Sequence, residues 1–223
     1  MTEPAARPQA RVRRAGDAAG TVDPGTYAKG KIRAAGILDS AIALLIDHGY
    51  HNLSMRKVAG HAGVRLGNLQ HYYPTRDELV KAMLDRMIEG YLARFEKIRR
   101  RDDEPELEFR AIVESVMLDL GKRRTTVFFP ELWSLSNHEP HVTRYMDQMY
   151  GKYRQVLGGA IARMNPALSP TQVHRLALFV SASVEGHTVF IGYRKPWARE
   201  TAPLLDMALQ AFVWLIRSGR IPE

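Results

Sequence analysis

The chain has 223 residues with 32 Lys and Arg against 24 Asp and Glu, a formal charge of +8, and no cysteine. That composition excludes a disulfide framework, a thiol nucleophile and any thiolate-built metal site. With 45% hydrophobic residues there is enough chain for one or two domains with a real core. No apolar run approaches the roughly 18 residues that a bilayer crossing needs, and the first residues lack the apolar stretch of a secretory signal. The expectation is a soluble, cytoplasmic protein with an anionic partner.

Residues 1–28, rich in Ala, Pro, Gly and Arg without a hydrophobic period, read as a disordered tail whose Arg7, Arg11, Arg13 and Arg14 are either a solubilising leader, the favoured reading, or a basic arm making loose phosphate contacts. From Lys31 the pattern turns helical: Ala35, Leu38, Ile42 and Leu45 form one apolar stripe that closes at Gly49. Ser54, after Leu53, is an N-cap for a short helix running to about Ala62. Gly63 punctuates it, and a second short helix spans about Arg65 to Tyr72 before Pro74. Thr75 followed by Glu78 is a capping-box pattern heading a long helix from Arg76 to about Arg100.

Further helices are predicted from Pro105 to Gly121, over Thr126 to Asn137 and over Glu139 to Met164. Two more cover 170–192 and about 198–218, after turns at Asn165-Pro166 and Ser169-Pro170. Nothing alternates like a strand. The fold class is all-α, about nine helices, with a three-helix N-terminal domain over 29–75 and a helical bundle over 76–223.

The charge is unevenly placed. Residues 1–100 hold 17 basic against 10 acidic residues, whereas the remainder holds 15 against 14. No carboxylate occurs between Asp47 and Asp77, a stretch containing Arg56, Lys57, Arg65 and Arg76. A segment without carboxylates approaches a polyanion unopposed, and nucleic acid is the commonest such partner.

The two short helices have helix-turn-helix spacing. Val58, Ala59 and Ala62 face the crossing, Gly63 makes the turn, and Val64 and Leu69 anchor the second helix. That leaves Arg65, Leu66, Gly67, Asn68, Gln70, His71 and Tyr72 toward solvent. Asn68 and Gln70 have the amides that pair with base edges, Arg65 reaches guanine or phosphate, and Gly67 permits close backbone approach. Arg56, opening the first short helix, meets phosphate.

The stretch LSMRKVAGHAGVRLGNLQHYYPTRDELVKAML, Leu53 to Leu84, resembles the TetR family of bacterial transcriptional regulators. The resemblance lies in the capped helix, Ala59-x-x-Ala62-Gly63-Val64 at the turn, Gly67-x-Leu69 in the recognition helix, and the aromatic pair before a turn and a basic residue. Gln70 stands where the family has Tyr, Tyr72 where it has His, and Tyr73 where it has Phe. The resemblance implies that Arg76 and Arg56 contact phosphate. It also implies a repressor that binds a palindromic double-stranded DNA operator as a dimer and is released by a small molecule.

The last two helices each have two apolar faces. Val173, Ala177, Val180, Val184 and Ile191 lie beside Leu176, Phe179 and Phe190; Leu205, Ala208, Phe212 and Leu215 lie beside Leu204, Met207, Ala211 and Trp214. One face suits the core and the other a second copy, giving a homodimer through these helices. The family implies an effector cavity in the bundle, for which Met87, Tyr91, Met117, Phe128, Trp133, Met146, Tyr150, Glu185 and His187 are candidate lining residues.

Enzyme chemistry finds little support. There is no GxGxxG, phosphate loop, HExxH or GxSxG. His138-Glu139-Pro140-His141, the nearest approach to a metal cluster, reads as a helix start, and no cofactor is expected. A helical enzyme or a dimerisation module that does not bind DNA is the second reading, and it leaves the carboxylate-free segment unexplained.

Overall fold

The computed structural model describes residues 24–99 and 104–223, and every regular element among them is helical. The helices are α1 (Pro24–His48), α2 (Met55–His61), α3 (Leu66–Tyr72), α4 (Arg76–Arg99), α5 (Pro105–Leu120), α6 (Arg123–Ser136), α7 (Pro140–Met164), α8 (Pro170–Gly186), α9 (Thr188–Ile191) and α10 (Thr201–Ser218). Helix α1 starts at Pro24, seven residues ahead of the expected onset at Lys31; the rest of the expected tail, residues 1–23, lies outside the described residues. The helix expected over 170–192 is broken at His187, which separates α8 from α9.

Local chemistry sets several boundaries. Ser54 Oγ accepts a hydrogen bond from the Lys57 amide at 3.3 Å, starting α2. At the head of α4, Thr75 Oγ1 accepts from the Glu78 amide and the Glu78 carboxylate accepts from the Thr75 amide, a reciprocal box. Ser169 and Gln172 do the same for α8. Gly63 takes φ +65° at the turn between α2 and α3, a conformation with little penalty only for glycine. Pro140 opens α7 as expected, although no side chain caps it.

Helices α1 to α3 form a small head around Ile37, Ala41, Leu45, Leu53, Val58 and Leu69, all nearly inaccessible. In the bundle, α7 is the central rod and packs on α4, α5, α6 and α8. Its Val142, Met146, Met149, Tyr153, Leu157 and Ile161 are buried, repeating at the three- and four-residue steps of one helix face. The head is joined to the bundle by α4 and by packing of α1 against α6. No helix among the described residues is long and apolar enough to cross a membrane.

The double faces of the last helices separate cleanly. Leu176, Ala177, Val180, Val184, Leu205 and Phe212 are buried. Phe179, Phe190, Met207 and Trp214 stay about half or more exposed, together with Leu178, Val189 and Trp197. Leu176 therefore belongs to the core face, not to the second face on which the pattern put it.

Candidate DNA-binding face and ligand cavity

Arg56, Lys57, Arg65, Gly67, Gln70 and His71 all lie exposed on α2 and α3. The acidic residues flanking this segment are turned toward the bundle. Asp47 pairs with Arg123 of α6 at 2.6 Å, and the hydrogen bond and charge of that guanidinium hold its carboxyl below the usual range. Asp77 faces His141 of α7 at 3.2 Å. The α2–α3 surface thus carries no carboxylate of its own, and the two acids that flank it in sequence are engaged by the bundle, which favours phosphate approach.

Four expected contact residues are placed differently. Asn68 is half-buried and its Oδ1 is covered without a hydrogen-bond partner. It lies four residues from both Val64 and Tyr72, which pack against the core, so it shares the packing edge of α3 and not its outer face. Tyr72 and Leu66 are likewise half-buried. Arg76, expected to meet phosphate, is committed inside the protein. Its guanidinium lies 4.0 Å above the Tyr50 ring, Nη2 donates to the Tyr50 carbonyl at 3.0 Å, and Nε is buried. Tyr73, not anticipated in this role, donates its hydroxyl to the Ala34 carbonyl and ties α3 back to α1.

Within the bundle, α4, α5, α6, α7 and α8 surround a cavity of about 20 Å³, enough for about one water. Its wall carries Tyr91, Phe95, Phe129, Tyr150 and Tyr153, with Ile88, Val116, Leu120, Thr125 and Met149 between them and Glu185 at one side. Trp133 Nε1 donates to the Tyr150 hydroxyl at 2.9 Å, and Tyr150 shares the cavity wall with Glu185. Burial pushes the Glu185 carboxyl up to about 7, against the opposing influence of the neighbouring Tyr150 hydroxyl. The buried Tyr153 hydroxyl has no hydrogen-bond partner; burial raises it far above its usual value, so it remains a donor. Beyond Glu185 an outer groove follows, bounded by Trp133, Leu178 and Val189.

At the opposite end Asp119 is a hub. It accepts from Tyr91 at 2.6 Å and Thr125 at 2.9 Å and pairs with Lys122 at 2.5 Å and Arg94 at 3.4 Å.

Of the nine candidate lining residues, Tyr91, Tyr150 and Glu185 line the cavity, and Trp133 reaches it through Tyr150. Met87 instead faces a basic surface pocket, where Arg124 Nε contacts its sulfur at 3.3 Å. Met117, Phe128 and Met146 are core, because the neighbouring positions Val116, Phe129 and Met149 take the cavity-facing side. His187 bonds the Ser183 carbonyl through Nδ1 at 2.6 Å and serves the α8–α9 break.

Residues 37–83 match the family model for bacterial regulatory proteins of the tetR family, and residues 105–212 match the model for the C-terminal part of BetI-type transcriptional repressors. The chain belongs to the TetR family. It is a DNA-binding transcriptional regulator of that family. An uncharacterized HTH-type transcriptional regulator in the dhlA 5′ region of Xanthobacter autotrophicus is 27% identical over 175 residues, covering 75% of this chain and 83% of its own. Among solved structures, a transcriptional regulator from Rhodococcus sp. Rha1 superposes with a TM-score of 0.67 at 21% identity, over 83% of this chain and 96% of its own. The Bacillus subtilis regulator FadR, solved with stearoyl-CoA, gives 0.63 at 14% identity over 83% and 98%. These structural likenesses extend the shared fold from the head through the bundle.

Proposed function

We propose that this TetR-family chain is a repressor that binds a palindromic operator as a homodimer and leaves it when a small molecule enters the bundle. The observation that carries the reading is the pairing, in one chain, of an exposed carboxylate-free α2–α3 surface with a bundle cavity lined by rings and a carboxyl group. That FadR, a regulator of the same fold, was solved in complex with stearoyl-CoA supports a small-molecule effector. A cavity of about 20 Å³ is far below the roughly 300 Å³ of ordinary ligand sites. Entry must therefore part the surrounding helices, and a ligand that binds only the parted state shifts the population toward it. Five aromatic rings around a carboxyl group that forms no ion pair among the described residues suit an organic cation.

Binding to duplex DNA, followed by fluorescence anisotropy over a salt series, tests the first half. Affinity should fall steeply with salt, and Arg56→Ala should flatten the slope by about one unit while weakening all sequences alike. Gln70→Ala should instead lose about 1–3 kcal/mol of preference at a single base pair. Salt-independent binding, or equal behaviour of both variants, contradicts the assignment.

Exposure of Phe179, Phe190, Met207 and Trp214 on one side of α8 to α10 supports an isologous dimer. Sedimentation equilibrium should give twice 25.2 kDa for the native chain, and the single mass for the double variant Met207→Glu, Trp214→Glu. A native chain that sediments as a monomer, or a double variant that stays dimeric, removes this interface.

A further inference from the structure

Helix α6 has two working faces. Thr125 and Phe129, one turn apart, line the cavity. Arg123 and Glu131 are displaced from them by two positions, and so lie on the other side of the helix. There Arg123 holds the end of α1, through Asp47 at 2.6 Å and the Ile46 carbonyl at 3.1 Å. The Glu131 carboxylate accepts the Tyr50 amide at 2.9 Å, in the turn that leads from α1 to the Ser54 cap of α2. Gly49 supplies the turn into Tyr50 through its φ of +74°, a conformation that favours glycine.

Tyr50 is thus held at both backbone groups by different helices. Its N–H goes to Glu131 on α6, and its carbonyl goes to Arg76 at the start of α4. Both helices are walls of the same cavity, α6 through Thr125 and Phe129, α4 through Ile88, Tyr91 and Phe95. The cavity is too small to admit more than about a water without moving a wall, and a close-packed bundle passes such a displacement on.

We propose that Glu131 reports occupancy of the cavity to the DNA-binding head, its grip on the Tyr50 amide being drawn away from Arg76's grip on the Tyr50 carbonyl when the cavity fills. The inference rests on the effector reading of the cavity and adds a residue through which that site is coupled to α2. Movement of α4 alone would carry the head as a rigid unit. Unequal movement of α4 and α6 instead twists the turn four residues ahead of the α2 cap.

A larger side chain can stand in for the ligand. Val116→Phe on α5 fills the cavity without touching Tyr50, and Val116→Leu replaces it if circular dichroism shows the Phe variant unfolded. The Tyr50 amide should exchange with deuterium about tenfold faster in the filled variant, with Val58 unchanged. Glu131→Ala should produce the same acceleration, and the double variant should add nothing.

On a duplex selected by the native chain from a random pool, filling should weaken binding about tenfold in the native background, a usual coupling magnitude. In the Glu131→Ala background the loss should be below about twofold, and Glu131→Gln, which keeps an acceptor, should restore most of it. Equal losses in the native and Ala backgrounds, or an unaltered Tyr50 exchange rate on filling, overturn the proposal. If the native chain selects no duplex, the regulator reading itself fails, and the Tyr50 exchange rates still decide whether Glu131 couples the cavity to the turn.

Discussion

Asp119→Ala should cost about 3–5 kcal/mol in urea unfolding at pH 7, the largest loss expected of any single polar substitution in the bundle. The carboxylate is nearly inaccessible and sits in the last turn of α5, where the helix dipole disfavours a negative charge. Burial pushes its carboxyl upward, yet hydrogen bonds from Lys122, Tyr91 and Thr125 and the Arg94 charge outweigh this and hold it below the usual value. Truncation leaves two buried hydroxyls without their shared acceptor and two cations without their counter-charge.

The pH dependence separates charge from packing. A lowered carboxyl contributes stability that is complete above the unfolded value, about 3.9, and is lost as the pH falls through the lower folded one. Asp119→Asn, which keeps an acceptor, should cost about 1–2 kcal/mol at pH 7, and that gap should close only below about pH 4. A loss under about 1 kcal/mol for Asp119→Ala would show that the hub does not hold α4 to the α5–α6 turn.

Much of the head was legible because its determinants are local. Ser54, Gly63 and the Thr75–Glu78 box act on neighbours within one turn of chain, and each is formed where the sequence places it. The start of α1 was not legible from its stripe, because the apolar positions begin only after the first turns. Arg76 shows the limit of residue type as a guide. A basic side chain at a helix start reads as a phosphate contact, but Tyr50, twenty-six positions earlier, presents it with a ring and a carbonyl. Asn68 is half-buried for a related reason, since the four-residue step that links Val64 and Tyr72 at the packing edge of α3 runs through it.

The cavity was less legible still. Periodicity assigns a residue to one face of its own helix, whereas a void is a property of how several helices meet. Phe128 and Phe129 are neighbours about 100° apart on α6, and both are buried; only the position of α4 and α7 decides that Phe129 borders the cavity. Met146 and Met149 divide in the same way on α7. The Tyr91–Phe95 and Tyr150–Tyr153 pairs, spaced at helical steps, were the usable signal. Asp119 carried none, because one acid near a helix end is ordinary until its four partners converge.

Glu185→Gln should stabilise the protein by about 2–3 kcal/mol at pH 8 and change nothing at pH 4, the opposite sign to Asp119. In the unfolded chain this carboxyl ionises near 4.5, whereas in the fold burial raises it to about 7. Between those values the folded protein retains a proton that the unfolded chain has lost, so stability declines as the pH rises through the window and the deficit persists above it. Glutamine has no proton to lose and keeps an acceptor for Tyr150, so the variant escapes the deficit. Urea midpoints at pH 4 and pH 8 measure the difference, and equal stability at pH 8 would mean that the carboxyl is solvated through the outer groove. On the proposed effector reading, a cation entering among Tyr91, Tyr150 and Tyr153 would stabilise the ionised form of Glu185. Its affinity should then rise with pH toward 7 and level off above it. The substitution that strengthens the fold should therefore abolish the pH dependence of binding, linking the destabilisation at Glu185 to recognition of the effector.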